Sequence, residues 1–260
     1  MARKVKRFGW RPDTPDFRDR RYGLMHLAAP LPPSVDLRPQ CPPVYQQGVL
    51  GSCTSNAIAA AVEFDAIKQG RPAATPSRLF VYYNERVMEG TVDSDAGAEI
   101  RDGIKSVNAL GAPPEAEWPY DPSKFAVKPP DAVYADARMQ RALTYERLDS
   151  TQLLVLKNAL AAGLPFVFGF SVYESFEGDQ VASTGDVDLP AAGEAMVGGH
   201  AVLAVGYDDA RARFLVRNSW GPDWGQAGYF TMPYGYLINP GLADDFWVIQ
   251  TVGQSQEASA

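Results

Sequence analysis

Cysteine and histidine, the side chains best suited to nucleophilic catalysis near neutral pH, are scarce in this sequence. Among 260 residues there are two cysteines, Cys41 and Cys53, and two histidines, His26 and His200. A cysteine thiolate attacks a carbonyl carbon when a histidine within hydrogen-bond reach manages its proton. Two histidines are too few for a zinc site built on several imidazoles. We therefore expect no metal and no cofactor, and chemistry that depends on one Cys–His pair.

Cys53 stands where a helix is predicted to begin. Gly51 and Ser52 precede it, apolar residues recur at helical spacing over residues 57–64, and Gly70 ends the pattern. The helix macrodipole and the free N–H groups of a first turn favour the thiolate, which is the reactive form. We therefore expect a reactive Cys53, although cysteine is also often a small buried apolar residue.

His200 is the predicted partner of Cys53, and Asn218 is the predicted partner of His200. His200 begins an apolar run, and a turn at residues 208–211 sends the chain back toward Asn218. In a hairpin of that length the two side chains become cross-strand neighbours, to within one or two residues, so the amide oxygen can accept a ring N–H. A histidine at a strand end is also often a structural hydrogen-bonding group. His26, the only competitor, lies in an irregular N-terminal stretch.

The elements that must position these side chains change in character along the chain. Besides the helix at Cys53, helices are predicted over residues 77–88, 98–110 and 151–162. Short runs rich in Val, Phe and Tyr, typical of strands, cover residues 166–172, 201–207, 214–218, 228–232 and 246–252. A helical half followed by a β half indicates an α+β protein with two lobes and a site at their interface.

Three blocks of sequence carry a family resemblance. They are QGVLGSC over residues 47–53, GHAV over residues 199–202 and NSWGPDWGQAGY over residues 218–229. In this order they resemble the signature blocks of the papain-like cysteine peptidases, in which histidine and asparagine follow the cysteine by roughly 130 to 150 residues. Here His200 follows Cys53 by 147 residues and Asn218 follows it by 165. The similarity covers roughly residues 34–252 and points to the short bacterial branch of that family.

The resemblance implies a papain-like two-lobed fold, with a helical N-terminal lobe, an antiparallel β-barrel-like C-terminal lobe and the active-site cleft between them. We divide the chain accordingly into an extension over residues 1–33, a helical lobe over 34–132 and a β lobe over 133–260. The implied roles are nucleophile for Cys53, general base and acid for His200, and orientation of the histidine for Asn218. Gln47, six positions before Cys53, would donate its side-chain amide to the oxyanion together with the Cys53 backbone N–H.

The same resemblance implies a set of substrate-binding residues: Gly51, Ala96, Gly97, Gly169, Ala201 and Trp220. Gly97 would let a substrate backbone approach and pair as a strand, with Gly51 on the opposite wall. Gly169 and Ala201 would be walls of the pocket for the second residue before the scissile bond. Small walls leave room for a bulky apolar side chain. Trp220 would in addition shield the bond between Asn218 and His200 from water.

The sequence departs from the family pattern around the nucleophile. The usual cysteine three positions before it is Leu50, the usual aromatic residue after it is Thr54, and no cysteine lies near Ala96. The usual disulfides of the family are therefore not expected. Their absence fits a reducing cytoplasm, or a branch that never depended on them.

Residues 1–33, called the arm below, differ from the rest of the chain. Residues 1–22 hold eight Lys or Arg against three Asp, a net charge of +5, so the remainder carries −12 of the total of −7. A basic arm could bind nucleic acid or anionic lipid, but its simplest partner is the acidic surface of its own chain. We expect residues 8–22 to cover the cleft as the autoinhibitory pro-segment of a zymogen. A disordered solubilising tail is the alternative.

Other features limit the setting and the function. The longest apolar stretch, residues 164–172, is too short to span a bilayer, and no apolar h-region follows the basic start. We expect a monomer that is cytoplasmic, or exported without a Sec-type signal peptide, and that binds peptide or protein substrates but no nucleic acid. The predicted activity is endopeptidase hydrolysis through a thioester. Acyl transfer on the same machinery, as a transamidase or peptide ligase, and a non-catalytic binding module are the alternatives.

Overall fold

The computed structural model describes residues 8–23, 30–71, 74–137 and 142–251, so His26 lies outside the described residues. Within these ranges the chain is an α+β protein, as the sequence predicts. The α-helices are α1 (Cys53–Lys68), α2 (Arg78–Glu89), α3 (Ile100–Leu110), α4 (Asp131–Ala137), α5 (Leu153–Ala161), α6 (Asp179–Thr184) and α7 (Tyr234–Leu237). The strands are β1 (Trp10–Arg11), β2 (Ser34–Asp36), β3 (Ala98–Glu99), β4 (Ala142–Arg147), β5 (Phe166–Tyr173), β6 (Met196–Asp208), β7 (Arg213–Arg217), β8 (Tyr229–Pro233) and β9 (Ala243–Thr251).

Helix α1 packs against β6 and β9 of the sheet and against α2 and α3. Every residue from Cys53 to Asp65 is buried. Four of these residues are alanines, whose small side chains let neighbouring elements approach closely from several directions. The helix predicted to begin at Cys53 and to stop at Gly70 is confirmed.

The other three predicted helices are confirmed as α2, α3 and α5, with ends within two residues of the predicted ones. The Ser77 hydroxyl caps α2 by accepting a hydrogen bond from the Phe80 N–H at 3.1 Å, and Gly90 ends the helix in the left-handed region. Helix α4 was not predicted. Its seven residues are too few for a helical period, and the prolines before it suggest a break although proline also starts helices.

The main sheet has the strand order β4-β9-β5-β6-β7-β8, and β2 pairs with β6. Neighbouring strands are antiparallel, and the path is open at β4 and β8. The five predicted runs are strands β5 to β9. Strand β6 begins at Met196 rather than at residue 201, because Gly198 and Gly199 continue the strand where their composition suggests a turn. The short strands β2 and β4 were not predicted.

Residues 8–23 of the arm pack against the rest of the chain, which the composition of the arm does not suggest. Strand β1 pairs in parallel with β3, with Trp10 opposite Ala98. Trp10 and Tyr22 are buried, each with 8% of its surface exposed. Sequence patterns miss this pairing because the partner strand lies almost 90 residues away along the chain.

The charges that attach the arm differ from the expected ones. Arg11 does pair with Glu89, a basic arm residue with an acidic partner. However, other and less exposed contacts have the opposite sense, since Asp19 of the arm lies 3.1 Å from Arg101 and 3.5 Å from Arg147. A simple match of a positive arm with a negative surface is therefore wrong for residues 8–23.

Among the helices that the structure describes, none is long and apolar enough to cross a membrane. The same part of the chain holds no group of three or more His, Cys, Asp or Glu side chains placed to bind a metal ion.

Candidate active site

Cys53 is the first residue of α1, where this helix meets β6. Ser52 precedes it as the N-cap residue. The Cys53 sulfur accepts backbone hydrogen bonds from Ala201, which follows His200 on β6, and from Gly9 of the arm. The Cys53 sulfur therefore contacts the strand that carries His200, and it also contacts the arm. Both Cys53 and Cys41 are free thiols, as the missing partner cysteines predict.

The Cys53 thiol is not in the ionisation state expected from its position at a helix start. Its side chain is fully buried. Burial raises the pKa of Cys53 to about 11, and the backbone hydrogen bonds from Ala201 and Gly9 oppose this rise only in part. The expected thiolate is therefore wrong for the conformation with the arm in place, because burial beneath the arm withholds the solvation that the charge needs.

His200 and Asn218 form the predicted contact, with 2.8 Å between His200 Nε2 and Asn218 Oδ1. In the ladder of β6 and β7, Leu203 lies opposite Arg217. Continuing the ladder by one residue would set Val202 opposite Asn218. Val202 is two residues from His200, so both side chains lie on the same face of β6. The predicted register is thus met within its stated allowance of one or two residues.

The hydrogen bonds around Asn218 define the histidine tautomer. Asn218 Oδ1 also accepts the Ser219 backbone N–H at 2.8 Å, which identifies this atom as the amide oxygen. His200 Nε2 must therefore carry the hydrogen, and Nδ1 has the free lone pair. Burial lowers the pKa of His200 to about 4, against an opposing effect of the Asn218 hydrogen bond. The imidazole is neutral and can accept a proton at Nδ1.

Aromatic side chains surround the imidazole. The Trp220 ring centroid lies 5.1 Å from that of His200, and Phe170 and Phe176 approach at 5.8 and 6.4 Å. Trp224 packs edge-on against Trp220 at 5.2 Å. This apolar shell keeps water from the hydrogen bond between His200 and Asn218. Trp220 is part of the shell, in the position that the family resemblance implies.

Gln47 is fixed to the turn that carries Asn218. Its backbone N–H donates to the Ser219 carbonyl at 2.8 Å, and its Oε1 accepts the Ser219 hydroxyl at 2.6 Å. Its Nε2 donates to the Leu50 carbonyl at 2.9 Å. Because an amide nitrogen carries two hydrogens, this contact leaves one hydrogen for another acceptor. The contacts hold Gln47 rigidly in the loop before Cys53.

Residues of the arm lie directly over this site. The Gly9 carbonyl accepts the Ala98 N–H at 2.7 Å. A Cβ atom added to Gly9 would lie 1.7 Å from the Gly51 oxygen, and one added to Gly97 would lie 2.1 Å from the Gly9 oxygen. The arm backbone therefore passes between Gly51 and Gly97, the two predicted walls of the cleft.

Trp10 lies beside this crossing point, with its indole against the sheet. A Cβ atom on Gly169 would lie 1.9 Å from the Trp10 ring, and one on Gly199 would lie 2.7 Å from it. The indole N–H donates to Asp245 Oδ2 at 3.0 Å. Gly169, the predicted wall of a substrate pocket, thus lies against a side chain of the arm.

The structure brings together most, but not all, of the predicted substrate-binding residues. Gly51, Gly97 and Gly169 lie against the arm, and Trp220 lies 6.4 Å from the Phe8 ring. Ala201 contacts Cys53 through its backbone. Ala96 is half-buried, and no contact links it to the arm in the described part of the chain. The assignment of these residues to substrate binding stays a prediction.

Sequence reasoning missed three residues of the cleft. Gly198 and Gly199 approach Phe8 and Trp10, and Asp245 binds the indole. The paired glycines directly before His200 were a usable signal, because adjacent glycines in a strand permit close approach of another chain segment. By contrast, nothing in the sequence of Asp244 and Asp245, before the apolar run that begins at residue 246, indicated that Asp245 is buried.

A Cys–His–Asn arrangement at a junction of helix and antiparallel sheet defines a class of thiol-dependent hydrolases. The sequence pattern described as "Papain family cysteine protease" matches residues 31–246, and the chain belongs to that family. It is therefore a cysteine peptidase with a papain-like fold, as the resemblance predicts.

Individual relatives agree with this assignment. The crystal structure of xylellain, a cysteine protease from Xylella fastidiosa, is 48% identical to this chain, with a TM-score of 0.88 over 97% of this chain and 99% of that one. An uncharacterized peptidase C1-like protein of Acanthamoeba polyphaga mimivirus is 44% identical over 95% of this chain and 88% of its own length. Digestive procathepsin L 3 of Tenebrio molitor, 21% identical with a TM-score of 0.70 over 94% of this chain and 76% of its own, shares the fold.

Proposed function

We propose that this chain is an endopeptidase of bacterial type that cleaves peptide bonds through a thioester acyl-enzyme, and that its arm keeps it inactive as a zymogen. The observation that carries the catalytic part is the 2.8 Å contact of His200 Nε2 with Asn218 Oδ1. Ala201, the residue after His200 on β6, contacts the Cys53 sulfur. The 48% identity with a protease from Xylella fastidiosa supports the bacterial assignment.

The reaction follows from the tautomer of the histidine. His200 Nδ1 takes the Cys53 proton, and the thiolate attacks the peptide carbonyl to form a carbon–sulfur bond. The tetrahedral intermediate then expels the amine, to which the imidazolium donates its proton. Water, deprotonated by His200, attacks the thioester and releases the carboxylic acid and the thiol.

Gln47 stabilises the developing oxyanion in this proposal. Its second amide hydrogen and the backbone N–H of Cys53 are the two donors. Because Gln47 is fixed by Ser219 and Leu50, its donor is oriented before the substrate arrives, which is the condition for strong stabilisation of a transition state.

The direction of the arm supports inhibition rather than cleavage of the arm. A substrate must place its leaving amine near His200, because the imidazole protonates it. The Phe8 ring lies 6.3 Å from the His200 ring, whereas Trp10 lies against Gly169. From residue 8 to residue 10 the arm therefore runs from the leaving-group side to the acyl side. A substrate runs the other way, since its acyl residues come first.

The test is proteolysis by the full-length chain. An unstructured protein such as reduced casein is incubated with the wild type, with a variant whose arm is dislodged, and with Cys53→Ala, and the fragments are identified by mass spectrometry. Internal cuts that are fastest with the dislodged arm and absent in Cys53→Ala are expected. Release of terminal residues alone would identify an exopeptidase. Incorporation of an added amine at the new carboxyl ends would identify an acyl transferase.

A further inference from the structure

Tyr120 lies outside the loop of residues 47–53 but holds both of its ends. Its hydroxyl donates a hydrogen bond to the Gln47 carbonyl at 2.8 Å. The same hydroxyl oxygen lies 2.5 Å from Ser52 Oγ. Ser52 matters here because its carbonyl belongs to the same peptide group as the Cys53 N–H. Tyr120 therefore joins the two segments that carry the proposed oxyanion donors.

The hydrogen bonds around Tyr120 have a defined direction. Arg78 Nη1 donates to Asn56 Oδ1 at 3.0 Å, which identifies Asn56 Nδ2 as a donor. Asn56 Nδ2 lies 3.2 Å from Ser52 Oγ. Because Tyr120 has one hydroxyl hydrogen and gives it to the Gln47 carbonyl, Ser52 must donate its own hydrogen to Tyr120. The result is a row of hydrogen bonds that starts at Asn56 and ends at the Gln47 carbonyl, and each bond polarises the next.

The same contacts fix the orientation of the Cys53 N–H. In a planar trans peptide group the N–H points opposite to the preceding C=O, so the Ser52 carbonyl sets the direction of the Cys53 N–H. That carbonyl accepts Asn56 Nδ2 at 2.9 Å and the Ser55 hydroxyl at 2.9 Å. The N–H of the first residue of a helix has no partner within the helix. The Cys53 N–H is therefore both oriented and available to an oxyanion.

Tyr120 is itself held in place. The guanidinium carbon of Arg78 lies 4.2 Å from the centroid of the Tyr120 ring. Glu115 fixes that guanidinium by accepting two hydrogen bonds, at 2.6 and 2.7 Å. Burial raises the pKa of Tyr120 to about 12, so the hydroxyl keeps the hydrogen that it donates.

We propose that Tyr120 is a positioning residue whose hydroxyl group holds the two oxyanion donors, the Gln47 amide and the Cys53 N–H, in a fixed relative orientation. The proposal deepens the endopeptidase function proposed above and rests on it, since an oxyanion forms only when a carbonyl carbon is attacked. In the part of the chain that the structure describes, the Tyr120 hydroxyl contacts the donor loop rather than Cys53 Sγ or the His200 ring. Tyr120 thus acts through its neighbours.

The test uses the full chain in the Gly9→Ala background, where the added Cβ would lie 1.7 Å from the Gly51 oxygen and so dislodges the arm. Tyr120→Phe keeps the ring and removes the hydroxyl. It is expected to lower kcat about tenfold with little change in KM, for a quenched peptide and for a p-nitrophenyl ester, because one hydrogen bond corresponds to roughly that factor. Tyr134→Phe is the matched control and should leave kcat unchanged. The Tyr134 hydroxyl donates to Asn84 Oδ1 at 3.0 Å in the same hydrophobic cluster.

Labelling of Cys53 with dipyridyl disulfide distinguishes an effect on the oxyanion donors from an effect on the thiol. The thiolate attacks one sulfur, a new sulfur–sulfur bond forms and pyridinethiolate leaves, so no oxyanion develops on a carbonyl. Tyr120→Phe is therefore expected to label at the rate of its parent, as measured by peptide mapping of Cys53. Labelling slowed by the same factor as kcat would show that Tyr120 supports the thiol or the imidazole, and would overturn the proposal.

A double-mutant cycle with Gln47 tests whether Tyr120 acts through the oxyanion donors. In a Gln47→Ala variant one donor is already missing, so Tyr120→Phe should lower kcat by about threefold or less. An equal, tenfold loss in both backgrounds would contradict the proposed role. Ser52→Ala, which breaks the same row of hydrogen bonds one step earlier, should give the same pattern and replaces Tyr120→Phe if that variant does not fold.

The two substrates separate this proposal from the endopeptidase function. Loss of kcat in Gln47→Ala but not in Tyr120→Phe overturns the role of Tyr120 and leaves the peptidase intact. If the ester is hydrolysed and the peptide is not, the endopeptidase function fails, and a loss on the ester that depends on Gln47 supports the role of Tyr120. Hydrolysis of neither substrate would refute both.

Discussion

Alanine in place of Gly9 adds one methyl group to the arm at its narrowest point. The added Cβ would lie 1.7 Å from the Gly51 oxygen and 2.3 Å from the Gly51 carbonyl carbon. An ordinary contact is about 3.5 Å, so the arm would have to move outward by about 1.8 Å. Both neighbours are backbone atoms and cannot turn away. Gly9→Ala should therefore dislodge the arm at the active site without altering the enzyme beneath it.

The size of the effect follows from two hydrogen bonds of the arm. An outward shift of that size breaks the 2.7 Å bond from the Ala98 N–H to the Gly9 carbonyl and the 3.0 Å bond from Trp10 to Asp245. At about 1 kcal/mol each, these bonds alone contribute about 2 kcal/mol. That corresponds to a population of the open form about 30-fold higher. Exposure of the buried indole surface adds to this, so 30-fold is a lower bound.

The assay is the rate at which an epoxide thiol-peptidase inhibitor labels Cys53, followed by intact mass and peptide mapping. Phe17→Ala is the matched control, because Phe17 belongs to the same arm but is 99% exposed. Gly9→Ala is expected to label at least 30-fold faster than the wild type, and Phe17→Ala at the wild-type rate. A Gly9→Ala rate within threefold of the wild type, with an arm equally resistant to added protease, would refute the reasoning.

Three further predictions concern the oxyanion donor, the thiol and the core. Gln47→Ala in the Gly9→Ala background should lower kcat by about 100- to 1000-fold with little change in KM, because the missing donor acts on the transition state; a pure KM effect would contradict this role. Burial raises the pKa of Cys53 to about 11. The docked arm therefore keeps its full stability below the ordinary thiol pKa of 9.0 and becomes less stable as the pH rises from there toward 11. In a titration of 240-nm absorbance, taken as the difference from Cys53→Ala, the thiolate should form near pH 11 in the full chain and at lower pH in Gly9→Ala; identical curves would show that the arm does not bury the thiol. Phe168→Ala should lower the free energy of unfolding by about 3 to 5 kcal/mol in urea titrations, because Phe168 is fully buried and stacks on Phe246 at 5.2 Å; a decrease below 1 kcal/mol would mean that the site collapses around the cavity.

Local patterns predicted the regular elements well where the elements are long. Helix α1 and strand β5 have unbroken helical or strand character over eight residues or more, and both were found. Strand β1 has two residues and α4 has seven. A strand of two residues and a helix of two turns show too little of their own period to be identified locally, and both are stabilised by their tertiary partners.

The residues around the candidate active site also fall into two groups, those that local sequence patterns predict and those that they do not. The contact of His200 with Asn218 could be predicted because a hairpin relates sequence distance to spatial distance. Asp245 could not, because its burial depends on a backbone irregularity in β9, where the pairing with β5 shifts between Val167 and Gly169. An aspartate beside another aspartate is normally on the surface, and only the packed sheet places this one in contact with the Trp10 indole.

The sequence by itself predicted the chemistry that we propose for this protein: which thiol, which imidazole and which amide would take part, and in what order along the chain. These choices are local, since each depends on residue type and on spacing within a helix start or a hairpin. Only the tertiary structure determined the protonation state of the Cys53 thiol. The helix start at Cys53 favours a thiolate, but Gly9 of the arm lies against it and burial raises the pKa of Cys53 to about 11. Desolvation depends on everything that surrounds a group, so it exists only once distant segments have packed together.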